Sequence, residues 1–191
     1  MKETAMFNHP SVPVAQATLR SVYKLAPQAA RIANHATTVD RDPADPFRAT
    51  VFVGSGDADV IPFAAERAVG GPNGAPAPGD LFCAALAASQ DSSLRMAANS
   101  LGVRIEALSV DVRGWVDLRG ALGIDPDVPV GYQTLQCTIR MQVAADAEPE
   151  GVRRMLIEAE RSCIVLATLR RAVPVHIRVE QSAAAPAALA A

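Results

Sequence analysis

The sequence predicts an α+β fold: antiparallel sheet and two buried central helices, in the order β-β-β-α-β-β-α-β. Three observations predict it. Leu108, Val110, Val112, Val116 and Leu118 alternate with Ser109, Asp111, Arg113 and Asp117, and Leu135, Cys137, Ile139, Met141 and Val143 repeat the pattern. Such alternation marks half-buried antiparallel strands. Residues 80–101 are apolar nearly all round over their first two turns, through Leu81, Phe82, Ala84, Ala85, Leu86, Ala87 and Ala88. A helix of that kind is expected to be buried. Finally, Val152, Met155, Leu156, Ala159 and Cys163 recur at helical spacing, which aims Cys163 at the core.

In chain order, residues 1–30 read as an N-terminal arm with a short helix near 14–28 through Leu19, Val22, Tyr23 and Leu25, ending near Pro27. Arg31 to Val39 and Phe47 to Val53 read as strands, separated by the turn Asp42-Pro43-Ala44-Asp45-Pro46. Gly54-Ser55-Gly56-Asp57 turns into a third strand, 59–63. The stretch 70–79 holds too many glycines and prolines for regular structure, and it leads into the apolar helix, where Asp80 complements the helix dipole and Gly102 terminates it. The two long strands follow, joined by a loop at 119–131. Glu148-Pro149-Glu150 opens the second helix with residues suited to a first turn. Val173 to Val179 reads as a last strand, and 182–191 as a flexible alanine-rich tail, leaving one domain over 31–181.

Composition narrows the function. Half of the 191 residues are apolar, yet only 4% are aromatic, so alanine supplies much of the core and favours closely packed helices. The net charge of −2 comes from interspersed acids and bases, which gives nucleic acid no basic face. No apolar run approaches the roughly eighteen residues of a membrane span, and the N-terminus lacks the apolar core of a signal peptide. Three cysteines without a C-x-x-C pair argue against a disulfide framework and a zinc site. These features predict a soluble protein of a reducing cytoplasm, with neither metal nor cofactor. The apolar helix has too little one-sided character for so few strands to cover, which predicts a homodimer.

The run Pro78-Gly79-Asp80-Leu81-Phe82-Cys83-Ala84-Ala85-Leu86-Ala87-Ala88-Ser89 and the later Arg161-Ser162-Cys163-Ile164-Val165 together resemble the two signature segments of the OsmC/Ohr family, the osmotically induced and organic hydroperoxide resistance proteins. The Gly70-Gly71 loop, Trp115-Val116-Asp117-Leu118 and Val128-Pro129-Val130-Gly131 fit the same order and spacing. The resemblance, over about 31–180, implies an intertwined dimer with central helices inside sheet from both chains, and sites where the subunits meet. It also implies a chemistry: a thiolate on the central helix attacks a hydroperoxide, and a second cysteine captures the sulfenic acid as a disulfide. By that resemblance Cys163 matches the resolving cysteine, while Ser89 stands where the attacking one belongs. Serine lacks the polarisable sulfur that accepts oxygen. The family's activating carboxylate falls on Gly79, with Asp80 one place later; its arginine is matched by Arg41 or Arg48. Ile164 replaces the proline that commonly follows the second cysteine. The resemblance therefore implies a stress-response protein of hydroperoxide-reductase ancestry, with peroxidase activity impaired or lost. If activity remains, it relies on Cys163, on an organic hydroperoxide or another small apolar ligand. The alternative is a non-catalytic small-molecule-binding protein using the interface pocket.

Other readings of these residues are weaker. Ser89 as a hydrolase nucleophile lacks a G-x-S-x-G elbow and any relation to His9, His35 or His176. It is expected instead to bond to backbone one turn earlier. Cys83 and Cys137 are expected in the core. Asp91 and Arg95 suit a helical ion pair. His176 is expected to face solvent from the last strand, and Trp115 to cover either a dimer contact or a pocket rim.

Overall fold

The computed structural model describes residues 11–39, 42–54, 59–171 and 173–180. Arg41 lies outside the described residues. Helix α1 spans Val12–Leu25. Ser11 caps it by accepting from the Val14 N–H, and the Val12 N–H donates to Asn99 Oδ1, tying this helix to the body of the protein. None of its residues is buried, and a 3-10 turn at Pro27–Ala30 follows.

Strands β1 (Ala36–Val39), β2 (Arg48–Val53) and β3 (Asp59–Ala64) form one antiparallel sheet in sequential order. The expected first strand is shorter than the apolar pattern suggested, since 31–35 pair with no neighbour in the ladder. Helix α2 (Pro78–Leu101) starts with proline in its first turn, and Asp80 accepts from the Ala77 N–H at 2.9 Å. It ends at Gly102, whose φ of 69° few other residues adopt without strain. Strands β4 (Ile105–Trp115) and β5 (Thr134–Val143) form a separate antiparallel pair in which Val112 faces Cys137 and Val110 faces Ile139. β4 stops at Trp115 rather than running to Leu118. Asp117 accepts from the Arg119 N–H and turns the chain into a short helix, α3 (Leu118–Ala121).

Helix α4 (Pro149–Ser162) breaks at Cys163, whose extended backbone (ψ 106°) separates it from α5 (Ile164–Leu169). Cys163 thus sits at a helix break rather than within the last turn. Residues 173–180 form no strand among the described residues, contrary to the alternating pattern. Val175 and Ile177 are 83% and 88% exposed, since among the described residues no strand lies alongside them.

The core lies between α2, α4 and the β4–β5 pair: Leu94, Ala97, Ala98, Val103, Met155 and Ala159 are buried together, with Leu108, Val110, Met141 and Val143 packed against them. Each large side chain buried here contributes roughly 1.5–3 kcal/mol. Helix α2 is buried on only one side within the chain, at Leu86, Gln90, Ser93, Leu94, Ala97 and Ala98, whereas Phe82 and Met96 remain exposed.

Candidate functional site

The core packing sets Ser89 of α2 against the break between α4 and α5. There Ser89 Oγ lies 3.1 Å from Cys163 Sγ, within hydrogen-bond distance for sulfur. Cys163 is completely buried, while Ser89 is half-buried. The serine hydroxyl therefore meets a thiol, not the backbone one turn earlier. Sequence reasoning placed these two residues, 74 positions apart, at one site, and they meet there. No histidine, arginine or carboxylate bonds to either side chain among the described residues, so the pair has neither a base for serine nor a cation for a thiolate.

The remaining expected site residues are not part of this pair. Asp80 is nine positions before Ser89, about 13 Å along the helix axis at ~1.5 Å per residue, and is occupied in closing the first turn. Arg48 opens β2 and pairs with Asp45 at 3.2 Å, exposed. That arginine and its neighbours' hydrogen bonds hold the Asp45 carboxyl below its usual range, with the Phe47 N–H the largest contribution. Asp91 and Arg95 make the expected helical ion pair, at 2.6 Å.

The opposite flank of α2 is open. Asp80, Cys83, Ala84 and Ala87 form one wall of a cleft of about 930 Å³, and β4 from Val110 to Trp115 forms the other. Glu66, Arg67 and Tyr132 complete it. Cys83 is therefore half-buried beside this cleft instead of lying in the core. Burial, and then the Asp80 carboxylate, push its thiol above the usual range, against a hydrogen bond from the Gly114 backbone. Trp115, 48% exposed, stands on the cleft wall.

Tyr132 was not found from sequence. Its ring stacks on Phe82 with centroids 5.4 Å apart and planes 11° off parallel. Two glycines make room for it. A Cβ at Gly114 would lie 2.5 Å from Tyr132 Cε1, and a Cβ at Gly79 would collide with Tyr132 Oη. Burial, with Cys83, Glu66 and Asp80 nearby, raises the phenol above its ordinary range. The only signal in the sequence was glycine at both positions, which does not name the ring that fills the space.

Cys137 also departs from the core reading: it is half-buried on the inner face of β5. Burial raises its thiol most, followed by the proximity of Cys163 and of Asp111. Among the described residues no three His, Cys, Asp or Glu side chains converge as a metal site requires. No described helix is long and apolar enough to cross a membrane.

This architecture recurs in solved structures. An OsmC-like protein from Mycoplasma pneumoniae superposes with a TM-score of 0.59 at 14% identity, over 74% of this chain and 89% of that one. An OsmC-like protein of unknown function from Vibrio cholerae gives 0.59 at 12%, over 72% and 94%. An organic hydroperoxide resistance protein OsmC from Legionella pneumophila gives 0.52 at 19%, over 73% and 90%. Among curated proteins none matches the sequence. At these identities the structures establish the fold: α+β, as in OsmC/Ohr proteins. The OsmC-like protein family itself matches residues 71–178, more than half of the 191-residue chain, and spans both Ser89 and Cys163. The chain belongs to the OsmC-like protein family.

Proposed function

We propose that this chain is a stress-response protein of hydroperoxide-reductase ancestry whose attacking cysteine has been replaced by Ser89, leaving the two-thiol peroxidase cycle impaired or lost. The contact of 3.1 Å between Ser89 Oγ and Cys163 Sγ carries the reading. An attacking and a resolving thiol must approach within bonding distance, and a disulfide here needs a contraction of only about 1 Å, to ~2.0 Å. With serine in that position, Cys163 keeps no attacking partner on α2. Neither Asp80 nor Arg48 is positioned in this chain to activate a thiolate there. Ser89→Cys tests the assignment. The variant is expected to form an 89–163 disulfide on exposure to cumene hydroperoxide, with only partial peroxidase turnover because Gly79 supplies no carboxylate. Peptide mapping without that cross-link would overturn the assignment, as would wild-type turnover equal to that of an intact two-cysteine enzyme.

The working form is a homodimer in the cytoplasm. Three features support the dimer. Among the described residues the exposed alternating segment 173–180 has no partner strand, and the β4–β5 pair has no further strand on either edge. Phe82 and Met96 also leave part of α2 uncovered. Light scattering is expected to exceed the 20.0 kDa of one chain at all working concentrations; a monomer throughout would refute it.

The second reading, a non-catalytic small-molecule-binding protein, is supported by one observation, the cleft of about 930 Å³ beside Trp115. Trp115 is the single tryptophan of the chain, so quenching of its fluorescence by such a ligand, without turnover, distinguishes this reading from the first.

A further inference from the structure

A second groove lies between α1, α2 and α4. It encloses about 400 Å³ and shares no lining residue with the cleft beside Trp115. That volume falls within the range of small-molecule sites, ~300–1,000 Å³. Val12, Gln16 and Arg20, each four residues from the next, present one face of α1 to the groove. The Val12 N–H, donating to Asn99 Oδ1 at 2.7 Å, pins this wall to α2. The matched family region begins at residue 71, so the α1 wall lies outside it. Inside the groove Ala97 is buried, and Leu101 and Ile157 keep part of their apolar surface open to solvent.

The charges of the lining are one-sided. Among the described residues Arg154 makes no ion pair or hydrogen bond, because Glu150, one turn earlier, is held at both oxygens by Arg153. Arg20 donates only to the neutral Gln16 amide, at 3.0 Å. Its own helix offers it no acid, since residues 11–39 contain neither Asp nor Glu. Glu158, the carboxylate of the lining, is already paired with Arg161 at 3.0 Å. Apolar surface beside two guanidinium groups without carboxylate partners suits a ligand with a hydrocarbon chain and an anionic head. Arginine receives a carboxylate through two parallel N–H bonds, which makes that head the best match. From Val12 to Arg20 the α1 wall runs about 12 Å at ~1.5 Å per residue, room for a chain of medium length.

We propose that the groove between α1, α2 and α4 binds a single-chain alkyl carboxylate. Its chain lies on Ala97, Leu101 and Ile157, and Arg154 receives its head while Arg20 adds to the attracting field. Binding here makes and breaks no covalent bond. It uses neither the Ser89–Cys163 contact nor the cleft beside Trp115, so it stands or falls separately from both readings above.

The test titrates decanoate, kept below the concentration at which it forms micelles, into the full chain by isothermal calorimetry. Saturation at a single site per chain is expected, with affinity about tenfold above that of decanol, as one charge-assisted hydrogen bond provides. Arg154→Ala should weaken decanoate about tenfold and leave decanol unchanged, and Arg154→Lys should restore part of the loss. Arg20→Ala should cost only about threefold, the scale of an exposed charge at a distance. Ile157→Ser, at an exposed position where circular dichroism should show an intact fold, should weaken decanoate and decanol alike. Equal affinity in wild type, Arg154→Ala and Ile157→Ser would mean nonspecific adsorption and overturn the proposal. So would equal affinity for decyltrimethylammonium, which carries the opposite charge. Absence of decanoate binding also overturns it, and two further measurements then identify the occupant. A lower mass for Ile157→Ser in light scattering would place a second copy in the groove, and sedimentation of the chain with phosphatidylglycerol vesicles would assign it to a membrane surface.

Discussion

On one flank of α2, Ser89 meets Cys163 against α4 and α5, with no water-accessible volume at the cysteine and no charged group bonded to either. On the other flank, Cys83 faces a cleft walled by β4 and bordered by Asp80, Glu66, Arg67 and Tyr132. The same helix therefore carries a serine–thiol contact with no charged partner among the described residues and, on its other side, a cleft bordered by charged groups. The difference shows why the family motif alone does not report activity. A thiol site needs proximity and activation together, and here the two kinds of residue lie on opposite sides of one helix.

The sharpest contrast concerns packing. Met155 is fully buried beneath the closed flank, and Met155→Ala is expected to destabilise the protein by about 2–5 kcal/mol. Trp115→Ala on the rim of the cleft is expected to change stability by only about 0.5 kcal/mol. Urea denaturation of both checks this, and equal losses would mean that the cleft is closed in solution. Next in size is Gly114→Ala, whose methyl meets the Tyr132 ring and should destabilise by about 1–3 kcal/mol. In a Tyr132→Ala background the same change should cost markedly less, leaving only the Leu135 Cδ2 contact at 3.1 Å, so a double-mutant cycle with no coupling would remove the glycine–ring account.

Thiol reactivity separates the flanks by pH. The thiolate is the reactive form, and the thiols of Cys83 and Cys137 are both raised, so each has less thiolate at pH 7 than a free cysteine. Their alkylation by iodoacetamide should climb about tenfold per pH unit and keep climbing past ~8.5, where a free thiol levels off. Cys163, having no exposed surface, should stay unmodified. Mass spectrometry showing rapid modification at Cys163 would mean that the closed flank opens. A further modest effect is expected for Ser89→Ala. Losing the bond to Cys163 should cost about 0.5–1.5 kcal/mol, read from the thermal midpoint.

The sequence revealed the closed flank better than the open one. The spacing of α4 aimed Cys163 inward, and the motif around Ser89 identified its partner, because both signals are local patterns tied to one fold. Cys83 was misplaced for a non-local reason: an apolar helix reads as covered all round, and nothing local says that β4 stands off to leave a cleft. The segment 173–179 shows the converse limit. Val173, Val175, Ile177 and Val179 have the period of a strand, but strand formation needs a neighbour, and the described residues offer none alongside. Arg48 does not meet the Ser89–Cys163 pair within this chain, and turn chemistry near Asp45 engages its guanidinium.

The glycine at position 79 has a consequence for the history of the site. By family resemblance this is where a carboxylate would help activate a thiol, and a single codon change could seem enough to bring it back. Tyr132 stands in the way: any side chain at 79 runs into its hydroxyl, and the ring is held in place by Phe82 and by the vacancy at Gly114. Regaining the acid would require the ring to move first, whereas Ser89→Cys needs no such step. On the ancestry proposed above, Tyr132 would make a carboxylate at position 79 hard to regain even though Ser89 and Cys163 touch.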